Sequence, residues 1–507
     1  MIIDQFQDLS PAVAVLCLLF ALAVGYVVGK PIYNIFFHPL RKFPGPFLWR
    51  ISGLAYQYSY MSGHMNRNIL ALHQVYGDVV RVAPDQLSFQ NPDAWKEIMG
   101  HKKGVGNGEN GKDKTFYFQT WGDIIGSERE DHSRMRRILS HGFSSQSMQA
   151  QQPLITQYID LLISRLRENS AGGTRPLDLV AWYNYTTFDI IGDLAFGEPF
   201  GCLSSSTMHP WVQMVFQNTK QLAMLTSIRR IFPAIDSLLA VCPPKGMVDK
   251  INSHLELVKA NVARRMARLG PRPDFIASMT KHDHDGKEKM TMAEIEKNSS
   301  TLIIAGSETT ATALSAVTFY LCMHPEVLAK LVDEVRSSFT SEEQIDFVSV
   351  NNLKYMLAVL DETLRIFPPV GSALPRICKP EGETINGQFV PGGTVLDIWQ
   401  WALSHNPKYF TLPESFIPER WTGTDSRFDN DRKDVVQPFS FGPRNCIGKN
   451  LAYVEMRSIL ARVIWNFDMH LSEESKNWAD DARLYSLWDK PPMFVYLTPR
   501  ETGEIAG

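Results

Sequence analysis

The segment FSFGPRNCIGKN, residues 439–450, places one cysteine, Cys446, among two glycines, a proline and an arginine. This is not the composition of a packed core, because glycine has no side chain to bury and arginine brings a charge. A thiolate binds iron strongly, but it needs positive charge or backbone N–H groups beside it. Gly442 and Gly448 permit close backbone approach, and the apolar run that follows can begin a helix whose N-terminal amides face the sulfur. The segment predicts a thiolate cradle, with an inert cysteine in a Gly/Pro turn as the alternative.

A second group of reactive side chains lies in the apolar segment TLIIAGSETTATAL, residues 301–314. Thr309 follows Ala305 by four residues, so its hydroxyl can bond the Ala305 carbonyl and bend the helix, while Gly306 leaves room for a flat ligand. Glu308 adds a carboxylate, and an alcohol beside a carboxylate can relay protons from solvent as a general acid. A helix that simply tolerates capped threonines is the alternative for this stretch alone.

Charged residues at helical spacing form a third group in YMLAVLDETLRIFPP, residues 355–369. Glu362 and Arg365 share one helix face, and an exposed pair of this kind is worth only about 0.2–0.5 kcal/mol. The later segment FIPERW offers Arg420 as a third member.

A fourth group lies in DHSRMRRILSHGFS, residues 131–144. His132 and Arg136 share a helix face and can grip an anion, although a solvated basic helix shows the same pattern. Arg376, in ALPRIC, is a further candidate cation.

Together these groups resemble the signatures of the cytochrome P450 family. The haem-binding signature of that family is matched at Phe439, Gly442, Arg444, Cys446 and Gly448. The run from Ala305 to Thr310 is similar to its oxygen-activation motif, and the elements occur in the family's order from about residue 12 to 466.

The resemblance implies a role for each matched residue. Cys446 would be the axial ligand of the haem iron, with Phe439 packed near its sulfur. Thr309 and Glu308 would deliver protons. The residues that would contact the haem or its propionates are Arg444, Arg376, His132, Arg136, Gly442, Gly448, Ala305 and Gly306, although the family often has tryptophan in place of His132. Glu362, Arg365 and Arg420 would form the family's structural triad, without a part in the chemistry.

The same resemblance implies a monooxygenase that uses haem b and O₂ and takes its electrons from NADPH through a partner reductase, with cytochrome b5 as a second candidate donor. The chain has no G-x-G-x-x-G fingerprint and no length left for a flavin domain. The reductase is expected to dock on the thiolate side, near Arg444 and Lys449. Two alternatives are a haem-thiolate isomerase or dehydratase without external electrons, and a non-enzymatic haem-binding sensor.

The substrate is expected to be a lipophilic small molecule. The segments FHPLRKFPGP (37–46) and FDIIGDLAFGEPF (188–200) look like those of microsomal enzymes of filamentous fungi, many of which oxidise terpenoids and polyketides. By resemblance, substrate choice would be set by residues 101–126, 221–242, Ala305 and Val370–Leu374.

The elements that must position these side chains follow from hydrophobic spacing. Apolar residues at three- and four-residue intervals predict helices at 146–170, 180–196, 248–269, 293–323, 325–339, 351–367 and 448–466. Hairpins are predicted at 76–90 and 383–398, the latter with Asn386-Gly387 as its turn, and surface loops at 101–114, 281–289 and 422–434. The fold class is therefore mainly α with a minor β part, and the resemblance specifies the cytochrome P450 fold.

Composition narrows the class of protein further. With 44% hydrophobic and 21% charged residues and a net charge of -3, the 507-residue chain is typical of globular proteins and gives no reason to expect nucleic acid. Six cysteines without a CxxC pair argue against structural zinc and redox dithiols. One catalytic domain is expected at 49–507, after a tail at 1–11, an anchor at 12–29 and a proline-rich tether at 30–48.

The segment Ala12 to Gly29 is apolar, has no charge and is long enough for a short membrane span. Asp4 and Asp8 precede it, so the positive n-region of a signal peptide is missing. Lys30, Arg41 and Lys42 follow it. The positive-inside rule then predicts a single-pass protein with a cytosolic catalytic domain, whose sequons at Asn184 and Asn298 stay unmodified. The endoplasmic reticulum is the expected membrane, and a cleaved signal peptide is the alternative to the anchor.

Overall fold

The computed structural model describes residues 11–102, 108–217, 219–235, 237, 245–268, 272–280 and 289–500. Expectations for the N-terminal tail, for most of the 281–289 loop and for part of 101–114 lie outside these residues.

Helices dominate the described chain. In chain order they are α1 (Pro11–Phe36), α2 (Phe47–Ile51), α3 (Leu54–Met61), α4 (Met65–Tyr76), α5 (Arg129–Ser140), α6 (Ser145–Asn169), α7 (Leu179–Phe196), α8 (Cys202–Ser205), α9 (Pro210–Gln217), α10 (Thr219–Ile231), α11 (Lys245–Ala267), α12 (Phe275–Thr280), α13 (Met292–Met323), α14 (Pro325–Ser338), α15 (Lys354–Ile366), α16 (Gln400–Ser404), α17 (Glu419–Thr422), α18 (Lys449–Asn466) and α19 (Trp478–Asp481).

The strands are short and form four small sheets. They are β1 (Val79–Ala83), β2 (Gln86–Phe89), β3 (Gly111–Lys112), β4 (Leu177–Asp178), β5 (Arg376–Ile377), β6 (Glu383–Ile385), β7 (Gln388–Val390), β8 (Val395–Asp397), β9 (Phe467–Leu471), β10 (Arg483–Leu484), β11 (Trp488–Asp489) and β12 (Phe494–Pro499). The largest sheet has the order β1-β2-β8-β5-β3, and a second has the order β4-β12-β9. Two-stranded pairs β6-β7 and β10-β11 complete the β part.

Helix α13 runs through the core and carries the polar residues noted at 301–314, Glu308 and Thr309 among them. It begins at a capping box, in which Thr291 accepts from the Glu294 amide and the Glu294 side chain accepts from the Thr291 amide. Its Ser307 and Thr318 hydroxyls donate to the carbonyls of residues four positions earlier, at 2.5 and 2.9 Å. This local bonding lets an otherwise apolar helix hold hydroxyl groups in the core, where it packs on α7, α15 and α18.

The seven predicted helices are confirmed, each with ends within three residues of the predicted ones. The first hairpin is confirmed as β1 paired antiparallel with β2. The second is confirmed only in part, because β6 and β7 pair around Asn386 and Gly387, both with positive φ, but β8 leaves them and pairs in parallel with β2.

The N-terminal helix extends beyond the predicted anchor, since α1 continues through Pro31 and ends at Phe36. The part from Ala12 is long and apolar enough to cross a membrane, and its most apolar window has no buried residue. Helix α13 meets the same length and composition test but is mostly buried. After α1 the chain makes a single turn at Pro39–Lys42 and buries Leu40 and Phe43, so the tether is packed against the domain.

The prediction of a solvated loop at 101–114 is wrong for its described C-terminal half. Asn110 and Asp113 are buried, and Gly111 and Lys112 form β3 against β5. Asp113 has its partner in the fold rather than in solvent, since it pairs with Arg230, whereas Lys114 is exposed.

Both sequons lie in helices and are buried. Asn184, on α7, is 3% exposed and Asn298, on α13, is 0% exposed. The Asn298 amide donates to the Glu294 carbonyl at 2.8 Å, and its oxygen accepts from the Ile124 amide at 2.9 Å.

Candidate active site

A cavity of about 300 Å³ lies between α13, the N-terminal part of α18 and the segment before it. We call it the central cavity. Most of its wall is apolar, with Ile124, Leu302, Ala313 and Val370 among the lining residues. The predicted residues that line it are His132, Arg136, Ala305, Gly306, Thr309, Phe439, Arg444, Cys446 and Gly448. Groups that are far apart in sequence thus share one cavity.

The loop that carries Cys446 is held by its backbone. The Cys446 amide donates to the Phe439 carbonyl at 2.8 Å. Gly442 has a φ of 76°, and a Cβ there would lie 2.0 Å from the Met99 carbonyl oxygen, so no other residue fits. The Arg136 guanidinium donates to the carbonyl and side-chain oxygens of Asn445 at 2.6 and 2.5 Å. Arg136 therefore holds the loop next to the thiol.

The Cys446 thiol is open to the central cavity, yet the protein around it shapes its ionisation. Burial raises the pKa of Cys446, while the Gly448 amide and the charges of Arg136 and Lys449 lower it. The net effect is an upward shift of the pKa of Cys446, because burial outweighs the backbone amide and the two cations. The predicted donors and positive charges do surround the sulfur, and they act in the direction of the thiolate.

A group of cationic side chains lies at another part of the cavity: Lys112 and Arg444 line it, whereas Arg376 is not among its lining residues. Arg444 donates to Glu109 at 2.5 Å and to the Ser127 carbonyl at 2.7 Å. Arg376 is 3% exposed, and among the described residues its Nη1 has no hydrogen-bond partner. Lys112, which lines the same cavity, has its ammonium group 4.0 Å from the centroid of the Tyr117 ring. Three cations therefore surround one carboxylate, and we name them the Arg376 cluster (Lys112, Arg376 and Arg444).

Burial and the neighbouring positive charges lower the pKa values of Lys112 and of His132, which lies beside this cluster. Burial, followed by the charges of Arg376 and Arg444, holds the pKa of Lys112 well below its usual range. Burial and then Arg444 lower the pKa of His132 to about 4, so the imidazole is neutral at pH 7. An anion placed here would relieve the repulsion among the cations.

The two residues proposed to deliver protons point in different directions. The Thr309 hydroxyl lines the cavity and donates to the Ala305 carbonyl at 2.7 Å, as its spacing predicted. Glu308 is buried outside the lining residues and pairs with Lys490. Lys490 also donates to Thr312 at 2.8 Å, and Glu308 Oε2 has no partner among the described residues. The structure therefore does not bring the carboxylate and the Thr309 alcohol together in the cavity.

Gly306 faces a neighbouring helix. A Cβ at this position would lie 2.6 Å from Cδ1 of Ile191 on α7. The missing side chain therefore lets α13 pack against α7 beside the cavity.

The Glu362 group is buried rather than exposed. Arg365 donates to both Glu362 oxygens at 2.9 and 2.8 Å, and Arg420 donates to the same carboxylate at 3.2 Å. Sequence reasoning missed Trp421, which donates to Glu362 at 2.8 Å, and Asp431, which pairs with Arg420.

Comparisons with known proteins identify the family. The "Cytochrome P450" family profile matches residues 43–496. The chain is 48% identical to a trichothecene C-15 hydroxylase of Fusarium sporotrichioides over 478 residues, 94% of this chain and 96% of the relative. The chain belongs to the cytochrome P450 family.

Other relatives are named as enzymes of the same kind. A cytochrome P450 monooxygenase, astA, of Talaromyces wortmannii is 44% identical over 96% of this chain and 97% of its own. An averantin hydroxylase of Dothistroma septosporum is 43% identical over 92% of this chain and 88% of its own. This P450 is accordingly a monooxygenase, an oxidoreductase that incorporates oxygen, and its cofactor is haem b, with O₂ as co-substrate and NADPH as the source of electrons.

The residues of the central cavity fit haem. A thiol faces the cavity, the walls are apolar, and a cationic cluster contains an orphaned N–H on buried Arg376. Two propionates would satisfy that donor and neutralise the excess charge of the Arg376 cluster.

Sequence reasoning did not single out the lysine and the glutamate that line this cavity, Lys112 and Glu455. Lys112 lies in the segment predicted to be a solvated loop. Glu455, on α18, is 2% exposed, and burial raises its pKa to about 8 despite a hydrogen bond from Thr310. A lone acid within the apolar run 448–466 was the available signal for Glu455.

Proposed function

We propose that this monooxygenase hydroxylates a lipophilic secondary metabolite, such as a terpenoid or polyketide, with two electrons from an NADPH-dependent reductase. The observation that carries the proposal is the central cavity, in which the Cys446 thiol shares an apolar space with the Ala305–Thr309 face of α13. The relatives named for hydroxylation of trichothecenes and averantin support the reaction and the kind of substrate.

Each cavity residue has a proposed task. Haem b, when bound, supplies O₂ activation and the attack on an unactivated C–H bond. Cys446 ligates the iron, and Phe439 packs beside the sulfur. The Arg376 cluster, with neutral His132 as a further donor, holds the propionates. Arg136 positions the Cys446 loop through Asn445.

Proton delivery is assigned first to Thr309, whose Oγ1 holds a proton inside the cavity. Glu308 can take part only if its carboxylate leaves Lys490. We therefore propose Lys490 as a positioning residue that holds the Glu308 side chain in the core, away from the cavity.

Substrate choice is assigned to the lining residues from three predicted regions. Tyr117, Ile124 and Ile125 come from 101–126, and Val370 and Leu374 come from the segment after α15. The described part of 221–242 contributes none of the lining residues of the central cavity.

We propose a single-pass protein of the endoplasmic reticulum membrane with its catalytic unit, residues 49–507, in the cytosol. The exposed, apolar α1 supports a membrane anchor. The tether, residues 30–48, would fix the orientation of the domain relative to the membrane, because its Leu40 and Phe43 are buried in the core of the domain.

The reductase, with cytochrome b5 as an additional donor, is proposed to dock near Cys446. Arg444 cannot serve there as predicted, because its side chain is 4% exposed and bonded to Glu109. Lys449 is exposed three residues after Cys446, and Arg137 is exposed next to Arg136. These two residues are the basic groups that we assign to docking.

The test is the optical spectrum of the purified protein, reduced and exposed to carbon monoxide, beside Cys446→Ser. A strongly red-shifted Soret band that is lost in the variant is expected from a thiolate ligand. An imidazole-like band, or no haem in folded wild type, would overturn the assignment. NADPH consumption with reductase and substrate then separates a monooxygenase from an isomerase or a haem-binding sensor.

A further inference from the structure

A second, smaller pocket lies behind the wall of the central cavity. It is enclosed by α3, β2, β8 and α10 and has a volume of about 30 Å³. A space of this size holds one or two water molecules. We call it the Asp397 pocket, after the acid at the end of β8.

Asp397 is fully buried and only half satisfied. Its Oδ2 accepts from the Tyr56 hydroxyl at 3.1 Å and from the Gln86 amide. Its Oδ1 is buried and has no hydrogen-bond partner among the described residues. Burial raises the pKa of Asp397 to about 6, with Gln86 and Arg230 acting in the opposite direction. An ionised oxygen at this depth requires a donor from outside the described side chains.

The pocket also contains an unpaired donor. Trp399 lines it, is 1% exposed, and has an indole N–H without a partner among the same residues. One free acceptor and one free donor match a hydroxyl group, which both accepts and donates. Phe116, Ala373 and Pro375 provide apolar walls, and the lining cation Arg230 is already paired with Asp113. A neutral hydroxyl therefore suits the pocket better than a second carboxylate beside Asp397.

The two cavities share Ser372 as a lining residue. The Ser372 hydroxyl already donates to the Ser486 carbonyl at 2.9 Å, so it has no proton free for a ligand. A molecule in the central cavity that extends past Leu374 toward Ser372 therefore meets the polar atoms of the Asp397 pocket next.

We propose that the Asp397 pocket binds a hydroxyl group at the end of the substrate remote from the reacting carbon. The hydroxyl donates to Asp397 Oδ1 and accepts from the Trp399 indole, displacing water. The substrate is then a lipophile that already carries an alcohol, and an earlier alcohol-forming reaction (oxygenation, addition of water, ester hydrolysis or carbonyl reduction) must supply it. This inference rests on the proposed function, because the reacting end must lie in the central cavity.

The test measures ligand affinity by isothermal titration calorimetry on the full-length holoenzyme. The probes are matched pairs that differ by one hydroxyl: cedrol with cedrane, dodecan-1-ol with dodecane, and dodecane-1,12-diol with dodecan-1-ol. In wild type the hydroxylated member of at least one pair should bind about tenfold more tightly, as expected for a hydrogen bond to a charged acceptor. Asp397→Asn should reduce this advantage at least about threefold, because the bond becomes neutral.

Trp399→Phe removes the indole N–H together with part of the ring volume. The loss of volume affects both members of a pair, so the advantage of the hydroxylated member should still fall, and this variant replaces Asp397→Asn as the decisive one if that protein does not fold. Thr226→Val is the control, since Thr226 lines the pocket but its hydroxyl already donates to Leu222 at 2.9 Å. Equal affinity within every pair in wild type, or an advantage unchanged in the variants, would overturn the proposal and leave a pocket for water. The carbon monoxide spectrum does not depend on these affinities. An altered spectrum in wild type would therefore indicate failure of the proposed function, whereas equal affinities with a normal spectrum would indicate failure of the hydroxyl site alone.

Discussion

Glu362 shows at the level of single residues how burial changes the meaning of a sequence pattern. Its spacing from Arg365 is that of a surface ion pair, but neither side chain has any exposed surface. Arg420, also without exposed surface, completes the group. The contribution of about 0.2–0.5 kcal/mol that is typical of an exposed ion pair therefore does not describe this buried group, in which loss of one partner leaves an uncompensated charge.

Glu362→Gln should lower the free energy of unfolding by about 3–5 kcal/mol, because it leaves two buried guanidinium groups without their shared anion. Urea unfolding of the holoenzyme measures this change. Glu168→Gln is a matched control, since Glu168 also pairs with an arginine three residues away on a helix, at 2.7 Å, but is exposed. The control should leave stability nearly unchanged, and equal effects of the two substitutions would contradict the structural role.

Glu455 predicts a dependence of stability on pH. Its pKa rises from 4.5 to about 8 in the folded protein, chiefly because of burial. The unfolded chain therefore loses this proton at lower pH than the folded protein, and stability falls as pH increases from about 4.5 to about 8.

Glu455→Gln removes the titrating group. We expect the stability of wild type relative to the variant to be highest below pH 4.5, to decline across this window and to level off above about 8. Urea unfolding at a series of pH values measures the difference. A difference that is constant with pH would show that Glu455 is ionised in the folded protein.

At the level of elements, the position of α13 depends on a glycine. Gly306→Ala would bring its Cβ against Ile191 on α7, and overpacking of this kind costs about 1–3 kcal/mol. Ile191→Val in the same chain should recover part of the loss. Thermal unfolding measures both variants.

The control is Gly246→Ala on α11, where a Cβ would meet nothing within 4 Å. Alanine is the better helix former, so this change should leave stability unchanged or slightly increase it. Destabilisation at both glycines would mean that contact with α7 is not the cause.

The sequence could predict features that depend on local spacing, but it could not predict contacts between residues far apart in the chain. Helices α6, α13 and α18 follow from a regular apolar spacing, and the Thr309–Ala305 bond follows from a four-residue interval, because both depend on local geometry. The Lys490–Glu308 pair joins residues 182 positions apart, and no local pattern connects them. Lys112 was misplaced for the same reason: its polar, glycine-rich surroundings are typical of loops, and its place beside the cavity depends on the pairing of β3 with the distant strand β5.

At the level of the whole molecule, the proposed electron donor must reach the Cys446 side of the domain. Lys449→Glu should lower NADPH-driven turnover with reductase several-fold, most strongly at low ionic strength, because charge pairs across an interface mainly affect association. The carbon monoxide spectrum is recorded beside it, because Lys449 also lowers the pKa of Cys446, and only a variant that keeps the red-shifted band reports on docking.

Turnover is measured with the purified reductase at two salt concentrations. Lys476→Glu is the control, as Lys476 is exposed and belongs to the separate segment after β9. Unchanged turnover in Lys449→Glu, or an equal loss in both variants, would count against docking at Lys449.

The buried sequons bear on how membrane orientation can be measured. In the folded domain, Asn184 and Asn298 are closed within helices, so a glycan could be attached to either only before α7 and α13 form. Their modification state would report the timing of folding relative to synthesis, and a glycan-free protein is expected on either side of the membrane if folding comes first. An engineered acceptor in the exposed stretch around Thr424 would instead report which compartment the finished domain occupies.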